Sequence, residues 1–586
     1  MKSSGSLPFL AIGTVTLVLF ACSQEGNRGA TVSAQLTESP VHILPDTPSA
    51  DMLACADSFA PVVPETGTYS RPVDAKYPLT QTYFDQGLRL TYGYYFLEAV
   101  ASFDAALCLE PENAMLHWGK ALALGPNPNS RYSGRPDDPH GLGERSIALA
   151  QAGAGEVSDA DSGLIRALSV LYDTTSYSDQ TSRTEAFIES AVANYQVHHN
   201  DLEAAFLVPH AIMMSTPWAY YTSGSGAPMA GIPRALEVLE RGIALHPEHP
   251  GLTHLHVHLL EASNTPSRAE ASADRLASLT PMAGYMVHMP GHIYMRLGRY
   301  QDAISTNERS LDADDYLQLM WGDRALRHQG TDNMSSLSHG AHASNFIHWA
   351  SILQGNRAAA IEISQYDAAY VKTTELHHGN GSRTLAAHWM TLRAFGLFDD
   401  LLATVNPAPD NPYLKGLLHW LHGAAHANKG HLAAAREELA ALQSTRTSPG
   451  LSAIKASVNT ASDLLGIAEA MLAGEIANAE LDYDMAIKHF AHGVSLQEQL
   501  AYMEPPDWLQ STRLYLGQAL INAGRPEDAV AVFERDLQLL QNNGWALRGL
   551  ADALHAAEDP ERAARIEVRF AEAWEDADIS LPAAHF

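Results

Sequence analysis

The chain has 586 residues, of which 46% are hydrophobic and 18% charged, and its formal net charge is -30 at pH 7. One compact core of ordinary size cannot accommodate this length, so the sequence predicts either several domains or one repeat array. The negative charge argues against a nucleic-acid ligand, whose phosphates require a basic surface. It favours a cationic partner or simple solubility.

The N-terminus has the pattern of an export signal. Lys2 is followed by a mostly apolar stretch of 14 residues, 7–20, whereas a membrane-spanning helix needs roughly 20. Residues after Cys22 are polar. The pattern therefore predicts a signal peptide over residues 1–22 rather than a spanning helix.

The end of this signal carries the sequence Leu19-Phe20-Ala21-Cys22. It resembles a bacterial lipoprotein signal, although Phe20 stands where a small residue is usual. The resemblance implies that Cys22 is lipidated and anchors the protein to the bacterial envelope, and Ser23 favours the outer membrane. The alternative is an ordinary secretory signal with an incidental Cys22.

Residues 23–75 are rich in Ser, Thr, Pro and Gly and lack a helical period of apolar residues, which predicts a flexible tether. Cys55 and Cys108 are the cysteines left after Cys22. They could form a disulfide in an oxidising compartment. No later stretch approaches spanning length, so membrane contact is expected through the lipid alone.

The segments that follow alternate helical patterns with turns, and Ala, Leu, Glu and Arg dominate them, as helices prefer. Small and aromatic residues recur near both ends with a 34-residue spacing. In the N-terminal part they are Tyr83, Gly87, Ala99, Phe103, Ala106 and Pro111, and in the C-terminal part Leu516, Gly517, Gly524, Ala529, Phe533, Gly544, Ala551 and Ala563.

With this pattern, residues 80–577 resemble the tetratricopeptide repeat family. The resemblance implies an all-α fold, a tetratricopeptide-repeat helical solenoid of about ten helix pairs with a concave groove that binds a protein or peptide. We expect an N-terminal array over 76–340 and a C-terminal array over 341–586. Irregular inserts at 127–143, 216–231 and 316–340 predict loops at the rim of the groove.

Histidines recur at the repeat interval. His254 and His258 are four residues apart and share one helix face with Glu261. His288, His292 and Met295 follow these three at a distance of 34 residues each. In the tetratricopeptide family the equivalent positions line the groove, and His342 in the next recognisable unit does so as well.

Neighbouring helices pack about 8 to 10 Å apart, so four such imidazoles can approach a common centre. The sequence therefore predicts a transition-metal site of copper, zinc or iron, and the thioether of Met295 would favour copper. Pro290 predicts a bend that reorients His288 relative to His292. With zinc, Glu261 could act as the base for an activated water, whereas copper or iron would allow an oxidative reaction.

Three other interpretations stay open. The paired histidines could be a duplicated packing motif without a ligand. The chain could be a metal-free scaffold that binds a peptide, glycan or partner protein, or a surface solenoid that self-assembles through its terminal faces. The segments 123–127, 288–292 and 296–300 resemble a group of bacterial repeat proteins to which no activity is assigned, so the sequence leaves open whether the chain is an enzyme.

Overall fold

The computed structural model describes residues 60–129, 136–222, 226–322, 340–377 and 379–586. In these ranges the chain forms helices and turns, and isolated β-bridges pair Tyr221 with Pro228 and Lys455 with Thr460. The prediction of an all-α fold is confirmed.

The helices follow one another along the chain with short connections. The first part contains α1 (Pro78–Tyr92), α2 (Phe96–Leu109), α3 (Ala114–Leu124), α4 (Pro139–Ala152), α5 (Asp159–Ser169), α6 (Gln180–Val197), α7 (Leu202–Ser215), α8 (Ile232–Leu245), α9 (Pro250–Glu261), α10 (Glu270–Leu279), α11 (Gly284–His288), α12 (Pro290–Leu297) and α13 (Tyr300–Trp321). The second part contains α14 (Gly340–Leu353), α15 (Arg357–Tyr370), α16 (Gly379–Ala394), α17 (Phe398–Ala403), α18 (Pro412–Asn428), α19 (Leu432–Arg446), α20 (Ala461–Ala479), α21 (Tyr483–Gln497), α22 (Arg513–Asn522), α23 (Pro526–Leu539), α24 (Gly544–Ala556) and α25 (Pro560–Ala573).

Two helix pairs, one near each end of the described helices, pack around a phenylalanine held between two glycines. Phe103 of α2 lies against Gly87 and Gly119, where an added Cβ would come within 2.7 and 2.4 Å of the ring. Phe533 of α23 is packed in the same way, with glycines 16 residues before and after it in the sequence. Because the same close approach recurs near both ends of the described helices, they form a solenoid of the tetratricopeptide type, as predicted.

The C-terminal part of the predicted tether is packed against the helices. Over residues 60–75, Val63 N donates to Gln86 Oε1 at 2.8 Å, and Arg71 Nη1 donates to Glu203 Oε2 at 2.5 Å. The assignment of this stretch to a tether is therefore wrong. Although the stretch lacks a helical pattern, hydrogen bonds to buried side chains of α1 and α7 hold it against the helices. Residues 1–59, with the signal peptide, Cys22 and the rest of the tether, lie outside the described residues.

Two other expectations are affected. Cys108 is disulfide-bonded, but Cys55 lies outside the described residues, so pairing between these two stays a prediction. The insert predicted at 316–340 begins too early, because α13 continues to Trp321, whose side chain is fully buried. The segment 323–339 lies outside the described residues.

The later helices pack back onto the middle of the chain. Trp545 Nε1 in α24 donates to the carbonyl of Ile352 in α14 at 2.8 Å, and Tyr300 of α13 donates to the carbonyl of Gln541 at 2.8 Å. This return brings residues near 504 against α12 and covers the face that the sequence assigns to an open groove.

Candidate metal centre

The four paired histidines lie inside the protein. The exposed fractions of His254, His258, His288 and His292 are 1%, 2%, 0% and 2%. The expectation that they line an open groove is therefore wrong. The ring of Phe346 from α14 packs edge-on against two of them, at 4.8 Å from His288 and 4.6 Å from His292 between ring centroids.

The bend expected at Pro290 is present as an interruption between α11 and α12. Met289 N donates to the carbonyl of Tyr285 at 3.1 Å, four residues back, whereas His292 N donates to Met289 O at 3.2 Å, only three residues back. Proline has no N–H to continue the regular pattern. Across this tighter turn the Nε2 atoms of His288 and His292 lie 3.1 Å apart.

A third imidazole joins this pair. The ring of His342, at the start of α14 and half-buried, lies 4.8 Å from the ring of His288 and 5.8 Å from that of His292. One ligand atom from each of the three histidines lies within 4.8 Å of the others. Three imidazoles from two neighbouring units of the solenoid thus converge as they do in three-histidine metal sites.

Hydrogen bonds orient two of these rings. Asn307 Nδ2 donates to the carbonyl of Ala303 at 2.7 Å, which turns its Oδ1 toward His288 Nδ1 at 2.6 Å. The Nδ1 of His288 therefore carries the proton, and its Nε2 presents a lone pair. This contact is typical of histidine ligands, whose second nitrogen is held by an amide or carboxylate.

The other nitrogen of His292 faces two carboxylates. Its Nδ1 lies 2.7 Å from Glu261 Oε2 and 2.9 Å from Glu504 Oε2. These three groups form a second cluster whose ligand atoms lie within 4.8 Å of one another. Nε2 of His292 is then the nitrogen directed to His288 and the three-imidazole group.

The charges of His292, Glu261 and Glu504 influence one another. Burial opposes the imidazolium form of His292, but Glu261 and then Glu504 outweigh it and raise the pKa of His292 to about 10. Burial likewise opposes ionisation of Glu261, yet His292 and His258 hold its pKa at about 2. Burial raises the pKa of Glu504. Without a metal, the centre is an imidazolium beside buried carboxylates, and its Nε2–H donates to His288.

The remaining pair lies beside this centre. His254 Nδ1 is 2.6 Å from the carbonyl of Tyr92 and donates to it; burial lowers the pKa of His254 well below its usual value. His258 is held by Glu261 at 3.3 Å and by the hydroxyl of Tyr285 at 3.2 Å. Among the described residues, the clusters of converging ligand atoms do not include either histidine, so the four imidazoles do not meet at one centre.

Two other predicted site residues have different surroundings from those expected. Met295 is fully buried in the hydrophobic core. Glu261 contacts the Nδ1 side of His292, opposite the Nε2 atom. Glu261 is therefore placed to orient this ring, and the role of base for a water on the Nε2 side does not fit its position.

Sequence reasoning missed Glu504 and Asn307. Glu504 precedes two prolines in a segment without helical periodicity and lies 212 residues from its partner His292, so no local signal could connect them. Asn307 is fully buried on α13. A polar amide on the buried face of that helix was the available signal. His348, expected on the packing side, is buried and bonded to Thr391 Oγ1 at 2.7 Å.

No protein-family model matches the chain, and no curated protein does. Among solved structures it is similar to human IFIT1, determined as a dimer with m7Gppp-AAAA, at 12% identity and TM-score 0.30 over 89% of this chain and 92% of that one. The APC/C hetero-tetramer Cut9–Hcn1 matches at 14% identity and TM-score 0.26 over 87% of this chain and 78% of that one. Yeast Tom70 matches at 11% identity and TM-score 0.25 over 83% of this chain and 92% of that one. Such low scores identify neither a family nor a function.

Within the described part of the chain, every helix is too short or too polar to cross a membrane.

Proposed function

We propose that this chain is an exported, lipid-anchored helical-repeat protein that binds a transition metal through His288, His292 and His342. The observation that carries the proposal is the orientation of two buried rings. Asn307 and Glu504 accept hydrogen bonds from the Nδ1 atoms of His288 and His292, and the two Nε2 atoms lie 3.1 Å apart beside the ring of His342.

The ligand set suits zinc, copper or iron, for which imidazole nitrogen is a common donor. Three protein ligands leave a coordination position for water or a substrate, as in catalytic zinc sites. A metal-dependent enzyme is therefore the form of this function that the donor set favours. The metal would polarise a bound molecule, while Asn307, Glu261 and Glu504 would keep the imidazoles aligned.

Elemental analysis by plasma mass spectrometry tests the proposal. We expect the full chain, purified without chelator, to carry at least one equivalent of copper, zinc or iron. His342→Ala should remove one equivalent with unchanged helicity, because His342 is the most exposed of the three ligands. His348→Asn is the matched control, since His348 lies on the same helix but contacts Thr391; it should retain the full metal content.

Absence of metal after incubation with each ion and dialysis would overturn the proposal. The metal-free scaffold that binds a peptide, glycan or partner protein would then be the better account. Binding that persists after exhaustive chelation and weakens with added salt would be its signature.

Membrane anchoring is a separate part of the proposal and is supported by the sequence pattern at Cys22 alone. We expect a bacterial host to incorporate labelled palmitate into the full chain and to place it in the membrane fraction. Cys22→Ser should release the protein from that fraction. Label incorporation into Cys22→Ser, or an unlabelled wild type, would contradict the anchor.

A further inference from the structure

Two carboxylates face Nδ1 of His292, which has a single N–H to donate. Nδ1 donates to Glu504 Oε2 at 2.9 Å. Glu261 Oε2 lies closer, at 2.7 Å, as an ion pair but without hydrogen-bond geometry. Both carboxylates are buried, with side chains 1% and 2% exposed.

Two carboxylate oxygens at this point have no hydrogen bond among the described residues, Glu261 Oε2 and Glu504 Oε1. The guanidinium of Arg296 is close, but it donates to the main-chain carbonyls of Glu261 and Ser263. A buried carboxylate without full hydrogen bonding destabilises the fold unless a cation compensates its charge. Each carboxylate therefore has a buried oxygen near His292 that a bound cation would satisfy.

We propose that Glu261, Glu504 and Nδ1 of His292 bind a second divalent cation, so that the ring of His292 bridges two metal ions. The inference rests on the proposed function, since the first ion occupies the Nε2 side. Binding of both ions converts the ring to an imidazolate, and its two nitrogen-bound protons leave to solvent. No electron transfer is involved.

The donor set defines the class of ion. Two carboxylate oxygens and one imidazole nitrogen suit a hard or borderline divalent ion such as Mn²⁺, Fe²⁺ or Zn²⁺. His258 Nδ1 lies 3.3 Å from Glu261 Oε1 and holds the outer oxygen of that carboxylate, which directs the inner one at the ring. The second site thus has three buried ligands, and His258 orients one of them.

Zinc stoichiometry tests the inference. The full chain is incubated with Zn²⁺ alone, dialysed and analysed for zinc, and we expect two equivalents. Glu504→Gln should retain one, since Gln keeps the shape of the side chain but loses its charge. His342→Ala should also lose an equivalent, whereas His348→Asn should retain both.

The outcomes separate the two proposals. One equivalent in the wild type, unchanged in Glu504→Gln, would overturn the second site and leave the proposed function standing. No zinc in the wild type would overturn both. Two equivalents that Glu504→Gln leaves intact would place the second ion elsewhere and equally overturn this inference.

Copper provides a spectroscopic readout of the bridge. Two Cu²⁺ ions joined by an imidazolate couple antiferromagnetically, so the low-temperature electron paramagnetic resonance intensity should fall below the total copper. The single copper of Glu504→Gln should give full intensity. Two magnetically independent coppers in the wild type would contradict bridging by His292.

Discussion

Asn307 connects the packing of the solenoid to the candidate metal centre. Its replacement by leucine should therefore weaken metal binding and lower the stability of the metal-free protein. The amide is fully buried, accepts from His288 Nδ1 at 2.6 Å and donates to Ala303 O at 2.7 Å. Gly291 makes room for it, because a Cβ there would lie 2.7 Å from Asn307 Nδ2. Leucine has a similar shape and removes both polar atoms.

The expected size of the effect follows from the lost contact. A ligand histidine that loses the partner of its second nitrogen typically binds metal about 10 to 100 times more weakly, which corresponds to about 1.4 to 2.7 kcal/mol. The metal-free protein should lose about 1 to 3 kcal/mol of unfolding free energy, because His288 Nδ1–H is left buried without an acceptor. Asn307→Asp keeps an acceptor and should bind metal nearly as well as the wild type.

Competition for Zn²⁺ with a chromophoric chelator measures the affinity, and urea unfolding followed by circular dichroism measures the stability of the metal-free protein. If Asn307→Leu lowers stability but leaves zinc affinity within twofold of the wild type, the histidine network is structural and the reasoning is wrong.

Further predictions concern stability. Gly517→Ala places a Cβ 2.3 Å from the ring of Phe533 and should lower the unfolding free energy by about 1 to 3 kcal/mol, measured with urea. At Gly466 an added Cβ has its nearest neighbour 3.5 Å away, so Gly466→Ala should raise the unfolding free energy by about 0.5 to 1 kcal/mol. Equal effects of the two substitutions would contradict the packing. Arg71→Met leaves the carboxylate of Glu203, 1% exposed, without its cation and should destabilise by about 3 to 5 kcal/mol, measured by thermal unfolding; a loss below 1 kcal/mol, roughly, would show that other groups neutralise this carboxylate. Burial lowers the pKa of His348 to about 3, below the unfolded value of about 6.5. The unfolded state therefore binds the proton first as pH falls, so stability is lost between these two values, by about 2 kcal/mol at pH 5; His348→Gln should lose less on acidification, and an unchanged pH profile would exclude this contribution.

The fold could be predicted from the sequence because the same packing recurs in separate units. Phe103 and Phe533 each require a glycine 16 residues before and after them, and this local rule can be read from the chain without knowing its path. His254 and His288, 34 residues apart, occupy equivalent repeat positions, and this equivalence follows from the same periodicity.

The candidate site was predicted only in part, because its assembly depends on contacts between distant units. Glu504 meets His292 through the return of the later helices, which no periodic pattern encodes. That return also buries rings that an open solenoid would expose. His254 was predicted as a ligand from its position in the repeat, but its Nδ1 is bonded to the carbonyl of Tyr92, 162 residues earlier.

Anomalous X-ray scattering at the zinc edge, on crystals of the zinc-loaded protein, tests the central claim most directly. The account predicts a peak at about 2.0 to 2.1 Å from the Nε2 atoms of His288 and His292 and from one nitrogen of His342. A zinc peak bound elsewhere, with these nitrogens still hydrogen-bonded to each other, would contradict it.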